Sequence, residues 1–218
     1  MIGKIYQIFY YQFLEGINPN HWVENCLKTL NDMKEITIKD IKVLWDKDSI
    51  DREVKRVASE IDSKFKLDKS VNLIPIMTGG LMFVSNLIAE LETLRPGCYH
   101  MFPLIAKTYG NSTESQGTTI YGYDFLAENI NIDSPSIIID DLMDSGETLF
   151  KLSEKLEITS NKEVYTAVLL DKLGKRHMNI EPDFNCFILD DKRWVVGYGM
   201  DYKGLFRGLN YVGTINID

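Results

Sequence analysis

The sequence predicts an α/β protein: a parallel β-sheet with helices on both faces, joined by a small lobe from the two ends of the chain. Three observations carry this reading. From about residue 50 onward, strand-like and helix-like segments alternate. The segment Ser136 to Asp140 is almost wholly isoleucine, as a parallel strand covered on both faces requires. Residues 1–45 break the alternation, being aromatic-rich without a clear period.

The elements follow in order. Ile50 to Phe65 carries Val54, Val57, Ile61 and Phe65 at the three-and-four spacing of an amphipathic helix. Val71 to Met77 reads as a buried strand, Thr78-Gly79-Gly80 as a turn, and Leu81 to Leu94 as a second helix ended by Pro96-Gly97. Tyr99 to Lys107 reads as a strand leading into a long polar segment, Tyr109 to Gly117. After the isoleucine strand, Thr148 to Leu156 is helical and Val164 to Leu170 is another buried strand. Asp201 to Asp218 has no helix signal and is expected to join the N-terminal lobe. The α/β core is thus expected over about 46–180, with accessory segments over about 1–45 and 181–218.

Composition narrows the function. A chain of 218 residues fits one domain, or one domain plus a small lobe, with 44% hydrophobic and 26% charged residues. The formal charge of -8 argues against nucleic-acid and anionic-membrane partners, which need excess Lys and Arg. Apolar runs such as Ile8 to Tyr11 are too short to span a bilayer, and no signal-peptide pattern opens the chain. Cys26, Cys98 and Cys186 are odd in number and scattered without a C-x-x-C, so reduced thiols in a cytoplasmic protein are expected. His21, His100 and His177 are equally isolated and point to no metal site.

The chemistry concentrates in Ile137-Ile-Ile-Asp-Asp-Leu-Met-Asp-Ser-Gly-Glu-Thr-Leu149. A hydrophobic strand runs into a tight loop holding Ser145 and Gly146, and a helix opens near Thr148. Ligands of open α/β sheets bind at the carboxyl ends of the strands, and loop amides with a helix N-terminus suit a phosphate. Ser145 and Thr148 can add hydroxyl donors. Carboxylates beside a phosphate repel it, so Asp140, Asp141 and Asp144 need another task. They can accept hydrogen bonds from sugar hydroxyls, or hold Mg²⁺ through water. Neither a P-loop nor a G-x-G-x-x-G fingerprint is present.

This segment closely resembles the phosphoribosyl-pyrophosphate motif of the type I phosphoribosyltransferases. The remainder resembles the hypoxanthine-guanine phosphoribosyltransferases. The matching stretches are Thr78-Gly-Gly80, Lys107-Thr-Tyr-Gly110, Leu169-Leu-Asp-Lys172, Trp194 to Tyr202 with Phe206-Arg207, and Asn18-Pro-Asn-His-Trp22. The resemblance implies a type I phosphoribosyltransferase core with a hood lobe. It implies transfer of the 5-phosphoribosyl group from phosphoribosyl pyrophosphate to N9 of a 6-oxopurine, with Mg²⁺, in a homodimer or homotetramer. By motif position, Asp144 is the acid/base at purine N7, and Asp144, Ser145, Gly146, Glu147 and Thr148 cradle the 5′-phosphate. Asp140 and Asp141 face the ribose hydroxyls. Thr78, Gly79 and Arg207 meet the pyrophosphate, and Asp201 is the Mg²⁺ ligand. Lys172, Arg193, Trp194 and Val195 form the purine site, the first through O6, Trp194 by stacking, and Arg193 and Val195 through their backbone. Thr108 and Tyr109 begin a mobile flap.

Those roles are chemically coherent. An oxocarbenium-like transition state places positive charge on the ribose and negative charge on the departing pyrophosphate. Carboxylates stabilise the first, and cations with Mg²⁺ the second. An ammonium donor at residue 172 favours a 6-oxo group over a 6-amine. The sequence departs from the family pattern in places. Thr78 stands where Lys or Arg is common, Thr108 where Ser is usual, Asp140 where Glu is commoner, and Trp194 where Phe stands. Transfer to xanthine, or a nucleotide-binding regulator without turnover, are the competing readings. Retention of Asp144 and Asp201 speaks against the regulator, as does the lack of a basic cluster.

Overall fold

The computed structural model describes residues 36–108 and 118–217. It divides into two compact units, Met1–Asp40 and Ile41–Asp218. Of the first, the described part is a 3-10 turn at Ile38–Asp40, where the Thr37 amide and hydroxyl both donate to the Asp40 carboxylate at 2.8 Å. The expectations for Asn18 to Trp22, His21, Cys26, Tyr109, Gly110 and Gly117 lie outside the described residues.

The second unit holds two sheets. The strands are β1 (Lys42–Trp45), β2 (Val71–Met77), β3 (Tyr99–Met101), β4 (Leu104–Thr108), β5 (Thr118–Tyr121), β6 (Ser136–Met143), β7 (Val164–Lys172), β8 (Phe184–Leu189), β9 (Trp194–Val196) and β10 (Val212–Ile215). The helices are α1 (Lys47–Lys64), α2 (Leu81–Leu94), α3 (Tyr123–Asn129) and α4 (Glu147–Thr159). The large sheet has seven strands in the order β5-β4-β2-β6-β7-β8, with β3 also on β2. It is parallel apart from β5, which runs antiparallel to β4 at one edge. The small sheet, in the order β1-β10-β9, is antiparallel.

The isoleucine strand explains the layering. Successive strand residues point to opposite faces. Ile137 and Ile139 enter a core shared with Val54, Ile61 and Leu87 of α1 and α2. Ile138 enters a second core shared with Leu126 of α3 and Leu149 and Leu152 of α4. All three isoleucines are fully buried, each contributing about 1.5–3 kcal/mol of burial. Helices therefore cover both faces, as the alternation predicted.

The boundaries differ in informative ways. The strand expected over Tyr99 to Lys107 is two strands, because Pro103 offers no amide to the ladder. β6 runs past the expected end at Asp140 to Met143, pairing Asp140 with Val168 and Met143 with Asp171, so Asp141 to Met143 are strand residues as well. Likewise, Lys172 is the last residue of β7, held there by β8 through Leu189.

The topology fixes where a ligand can bind. The chain leaves central β2 for β3, β4 and β5 on one side, then returns to place β6 on the other. Connections diverge between the carboxyl ends of β2 and β6, which opens a crevice at that point.

Candidate active site

That crevice is a cleft of about 320 Å³. One wall carries Thr78 and Gly79 from the turn after β2, with Asp201 and Arg207 beside them. The floor carries Asp140, Asp141, Asp144 and Thr148 from the end of β6 and the start of α4. The far end carries Lys172 from β7 with Trp194 and Val195 from β9. Most of the residues singled out from the sequence therefore converge on one cavity.

Several glycines are there because the backbone passes close to other groups. A β-carbon on Gly79 would lie 2.4 Å from the Asp141 carboxylate, and one on Gly80 would lie 2.7 Å from the Ile76 carbonyl. Gly146 has a φ of 84° and packs against Ile180, Arg176 and Met178. Helices α2 and α4 begin at Gly80 and Gly146 and take no side-chain cap, whereas α1 is capped by Asp46, which accepts from the Ser49 amide at 2.9 Å. Their N-cap residues thus serve no first-turn amide, and of those amides in α4 the one at Glu147 has a side-chain acceptor, Ser145 Oγ; amides left open in this way are the arrangement that receives anions.

The floor is electrostatically tense. Burial drives the Asp140 carboxyl well above the ordinary range, and the adjacent Asp141 raises it further. Asp141 is raised by burial too, while its hydrogen bond with Asp140 and the nearby Arg207 pull the other way. Asp144 is placed differently. Its Oδ2 lies 3.8 Å from Lys172 Nζ and 3.9 Å from Lys175 Nζ. Its Oδ1 is buried and makes no hydrogen bond to the described residues. Lys172 is only 3% exposed; burial lowers its pKa, and Asp144 partly restores it.

Asp201 and Arg207 are paired with each other. Arg207 Nη2 sits 2.5 Å from Asp201 Oδ1, and Arg207 Nη1 donates to the Gly199 carbonyl at 2.6 Å. The Gly204 amide donates to Asp201 Oδ2 at 2.6 Å. Among the described residues, no group of three His, Cys, Asp or Glu side chains could hold a metal unaided. Mg²⁺ seldom needs one, since it keeps waters and combines one or two carboxylates with substrate phosphates. Hard oxygen donors at Asp140, Asp141 and Asp201, two of them disfavoured as bare anions, fit that mode.

Other expected residues stand elsewhere. Arg193 turns away from the cleft, because Asp191 two residues upstream accepts from its Nε at 2.7 Å and holds its guanidinium. Glu147 is taken by Lys151 on the next turn of α4. Ser145 Oγ accepts from the Glu147 amide at 3.3 Å, and the Ser145 carbonyl accepts from the Met178 amide at 3.3 Å. Thr108 ends β4, and the continuation at Tyr109 is not among the described residues.

Two residues went unread in the sequence. Arg176 donates to the carbonyls of Asp144 and Met143 at 3.2 Å and of Ile180 at 2.8 Å, and pairs with the buried Asp171. It clamps the loop that presents Asp144. Lys175, beside it, reaches Asp144 and stands 5.8 Å over the Trp194 ring. Only the bare Lys175-Arg176 pair was visible in the sequence, and such pairs are usually solvated.

Known proteins share this sequence pattern and fold. The family model of the phosphoribosyl transferase domain matches residues 44–203. A hypoxanthine-guanine phosphoribosyltransferase of Bacillus subtilis (strain 168) is 34% identical over 80% of this chain and 92% of its own length. One from Staphylococcus epidermidis is 31% identical over 83% of this chain and 97% of its own. The solved hypoxanthine phosphoribosyltransferase of Staphylococcus aureus superposes with a TM-score of 0.70 at 26% identity, covering 85% of this chain and 97% of that one.

Proposed function

This chain belongs to the phosphoribosyltransferase family, in its hypoxanthine-guanine branch, and from that premise we propose how its cleft works. It transfers the 5-phosphoribosyl group of phosphoribosyl pyrophosphate to N9 of hypoxanthine or guanine, releasing pyrophosphate and leaving IMP or GMP. The observation that carries the base assignment is the 3.8 Å approach of Lys172 Nζ to Asp144 Oδ2. The O6 and N7 atoms of a 6-oxopurine are neighbours on one edge. An ammonium and a carboxylate side by side match that edge in a free base protonated at N7: Lys172 donates to O6, and Asp144 accepts from N7–H. A 6-amino group would bring a donor against the Lys172 donor.

In the reaction, the N9 lone pair forms the bond to C1′ as the C1′–O bond to pyrophosphate breaks. Asp144 takes the N7 proton, a contribution of the order of ~10²–10⁴-fold. The 5′-phosphate rests on the amides from Asp144 to Thr148, with the Ser145 and Thr148 hydroxyls close by. Asp140 and Asp141 bind the ribose hydroxyls and stabilise positive charge on the sugar ring. Thr78, Gly79 and Arg207 receive the pyrophosphate, and the flap from Thr108 and Tyr109 excludes water. Asp201, together with substrate oxygens, would hold Mg²⁺, which would supply charge neutralisation to the leaving group.

Trp194 is the stacking platform for the base, with the Val195 and Arg193 backbones along its edge. The small β1-β10-β9 sheet is the hood on which that platform is mounted. We place the protein in the cytoplasm, where free thiols such as Cys98 and Cys186 stay reduced, as a homodimer or homotetramer. No helix among the described residues is long and apolar enough to cross a membrane.

Incubation with phosphoribosyl pyrophosphate, Mg²⁺ and each base separately tests the assignment, with nucleoside monophosphate as the readout. Product with hypoxanthine and guanine is expected. Turnover of xanthine alone would reassign the base, and no product with any base would overturn the activity.

A further inference from the structure

We propose that Trp194 is, besides a platform for the base, the positioning residue for Asp201, so that the purine and pyrophosphate subsites are coupled through one indole hydrogen bond. The inference rests on the subsites assigned above. Trp194 Nε1 donates to the Asp201 carbonyl at 2.7 Å. Its ring also meets Tyr202 edge-on, with centroids 5.9 Å apart. The platform is therefore fastened twice to the Asp201–Tyr202 segment.

From Asp201 the contacts run on without a break. Arg207 pairs with the Asp201 carboxylate and donates to the Gly199 carbonyl, while the Gly199 amide donates to the Arg207 carbonyl at 2.9 Å. Gly199 in turn lies against the backbone of Gly79 in the turn after β2. One chain of contacts thus joins the base platform to the pyrophosphate turn. Phenylalanine at this position could stack equally well, but it has no N–H and would leave the Asp201 carbonyl without this donor. Trp194 is 39% exposed, which leaves room for a base against its ring while its nitrogen stays engaged.

Trp194→Phe separates the two roles, because it keeps an aromatic face and removes the donor. Three measurements on the intact protein are compared with the wild type: calorimetric binding of inorganic pyrophosphate with Mg²⁺ in the absence of base, the indole fluorescence change on that addition, and KM for hypoxanthine. Pyrophosphate binding is expected to weaken about threefold to tenfold, the loss of one ordinary hydrogen bond. The hypoxanthine KM, which reads the platform role, should change by a smaller factor than the pyrophosphate affinity, and the wild type should show an indole fluorescence change on adding pyrophosphate alone. A weakened hypoxanthine KM with unchanged pyrophosphate binding would reduce Trp194 to a platform and overturn the coupling alone. A wild-type protein that binds no pyrophosphate and forms no nucleotide would overturn the assigned activity, and the coupling with it. A second variant, Tyr202→Leu, keeps the indole donor and should weaken pyrophosphate binding less than Trp194→Phe. The reverse order would place the coupling in ring packing and reject the hydrogen bond.

Discussion

Gly199 approaches Gly79 so closely that a β-carbon on Gly199 would lie 1.9 Å from the Gly79 carbonyl oxygen. Gly199 also has a φ of 104°, which side chains other than hydrogen disfavour. Gly199→Ala must therefore either strain its own backbone or push the Thr78–Gly79 turn away. The strain alone is worth about 1–3 kcal/mol. Thermal unfolding of the variant should fall accordingly, and its KM for phosphoribosyl pyrophosphate should rise more than its KM for hypoxanthine.

Asp144→Asn keeps the shape of the loop and removes the proton acceptor. The expected result is a kcat lower by about 10²–10⁴-fold with KM values little changed. Rapid-quench measurement of a single turnover would show whether the loss is in the chemical step.

Lys172 is depressed by burial, so its ammonium is lost below the pH at which an ordinary lysine titrates. The folded protein then binds fewer protons at this residue than the unfolded chain does. Its contribution to stability is unfavourable below the folded pKa and is relieved as pH rises toward the unfolded value. Binding of a 6-oxopurine should follow the opposite course, weakening on the alkaline side as the donor loses its charge. The alkaline limb of kcat/KM for hypoxanthine should move lower still in Asp144→Asn, which removes the group that raises Lys172.

The acid pair in the floor carries the reverse signature. Asp140 binds its proton more tightly in the folded state, so stability falls as pH rises from the unfolded pKa through the folded one. Asp140→Asn removes a buried charge and should raise the unfolding midpoint at neutral pH, by about 2–4 °C for each kcal/mol relieved. The same variant should bind phosphoribosyl pyrophosphate more weakly. A rise in midpoint and a fall in affinity, measured together by calorimetry, would show that the pair is kept for function at the expense of stability.

Arg176 holds three carbonyls and the buried Asp171, which makes it the support beneath Asp144. Arg176→Met leaves that carboxylate buried without its cation, a change that costs about 3–5 kcal/mol. The melting temperature should drop sharply, and residual activity should show a reduced kcat, because the Asp144 loop has lost its clamp.

The sequence revealed the core where local pattern and burial agree. Ile137 to Ile139, the Val71 to Met77 strand and the Leu81 to Leu94 helix all stand as expected, because each segment is uniformly apolar or cleanly periodic. The short β5 and α3 were not read. Thr118 to Tyr121 gains its strand identity from β4, and the seven-residue α3 is fixed by packing Tyr123 and Leu126 into the second core. Most site residues carried by sequence motifs converged on the cleft, while Glu147 and Arg193 are held by Lys151 and Asp191. Arg176 and Lys175 escaped notice because their importance comes from what lies across the fold, at Met143, Asp144 and Trp194.

The isoleucine strand has one more consequence, for the way the protein breathes. β6, like β2 and β7 on either side of it, sends side chains into the two cores from consecutive positions beside the site, so neither core can loosen without disturbing it. Its amide hydrogens should exchange with solvent only when the whole α/β unit opens, while the small sheet at the other end of the cleft exchanges sooner. A ligand resting on Asp140 to Thr148 is then read by the entire fold, and saturating phosphoribosyl pyrophosphate should slow exchange throughout the large sheet.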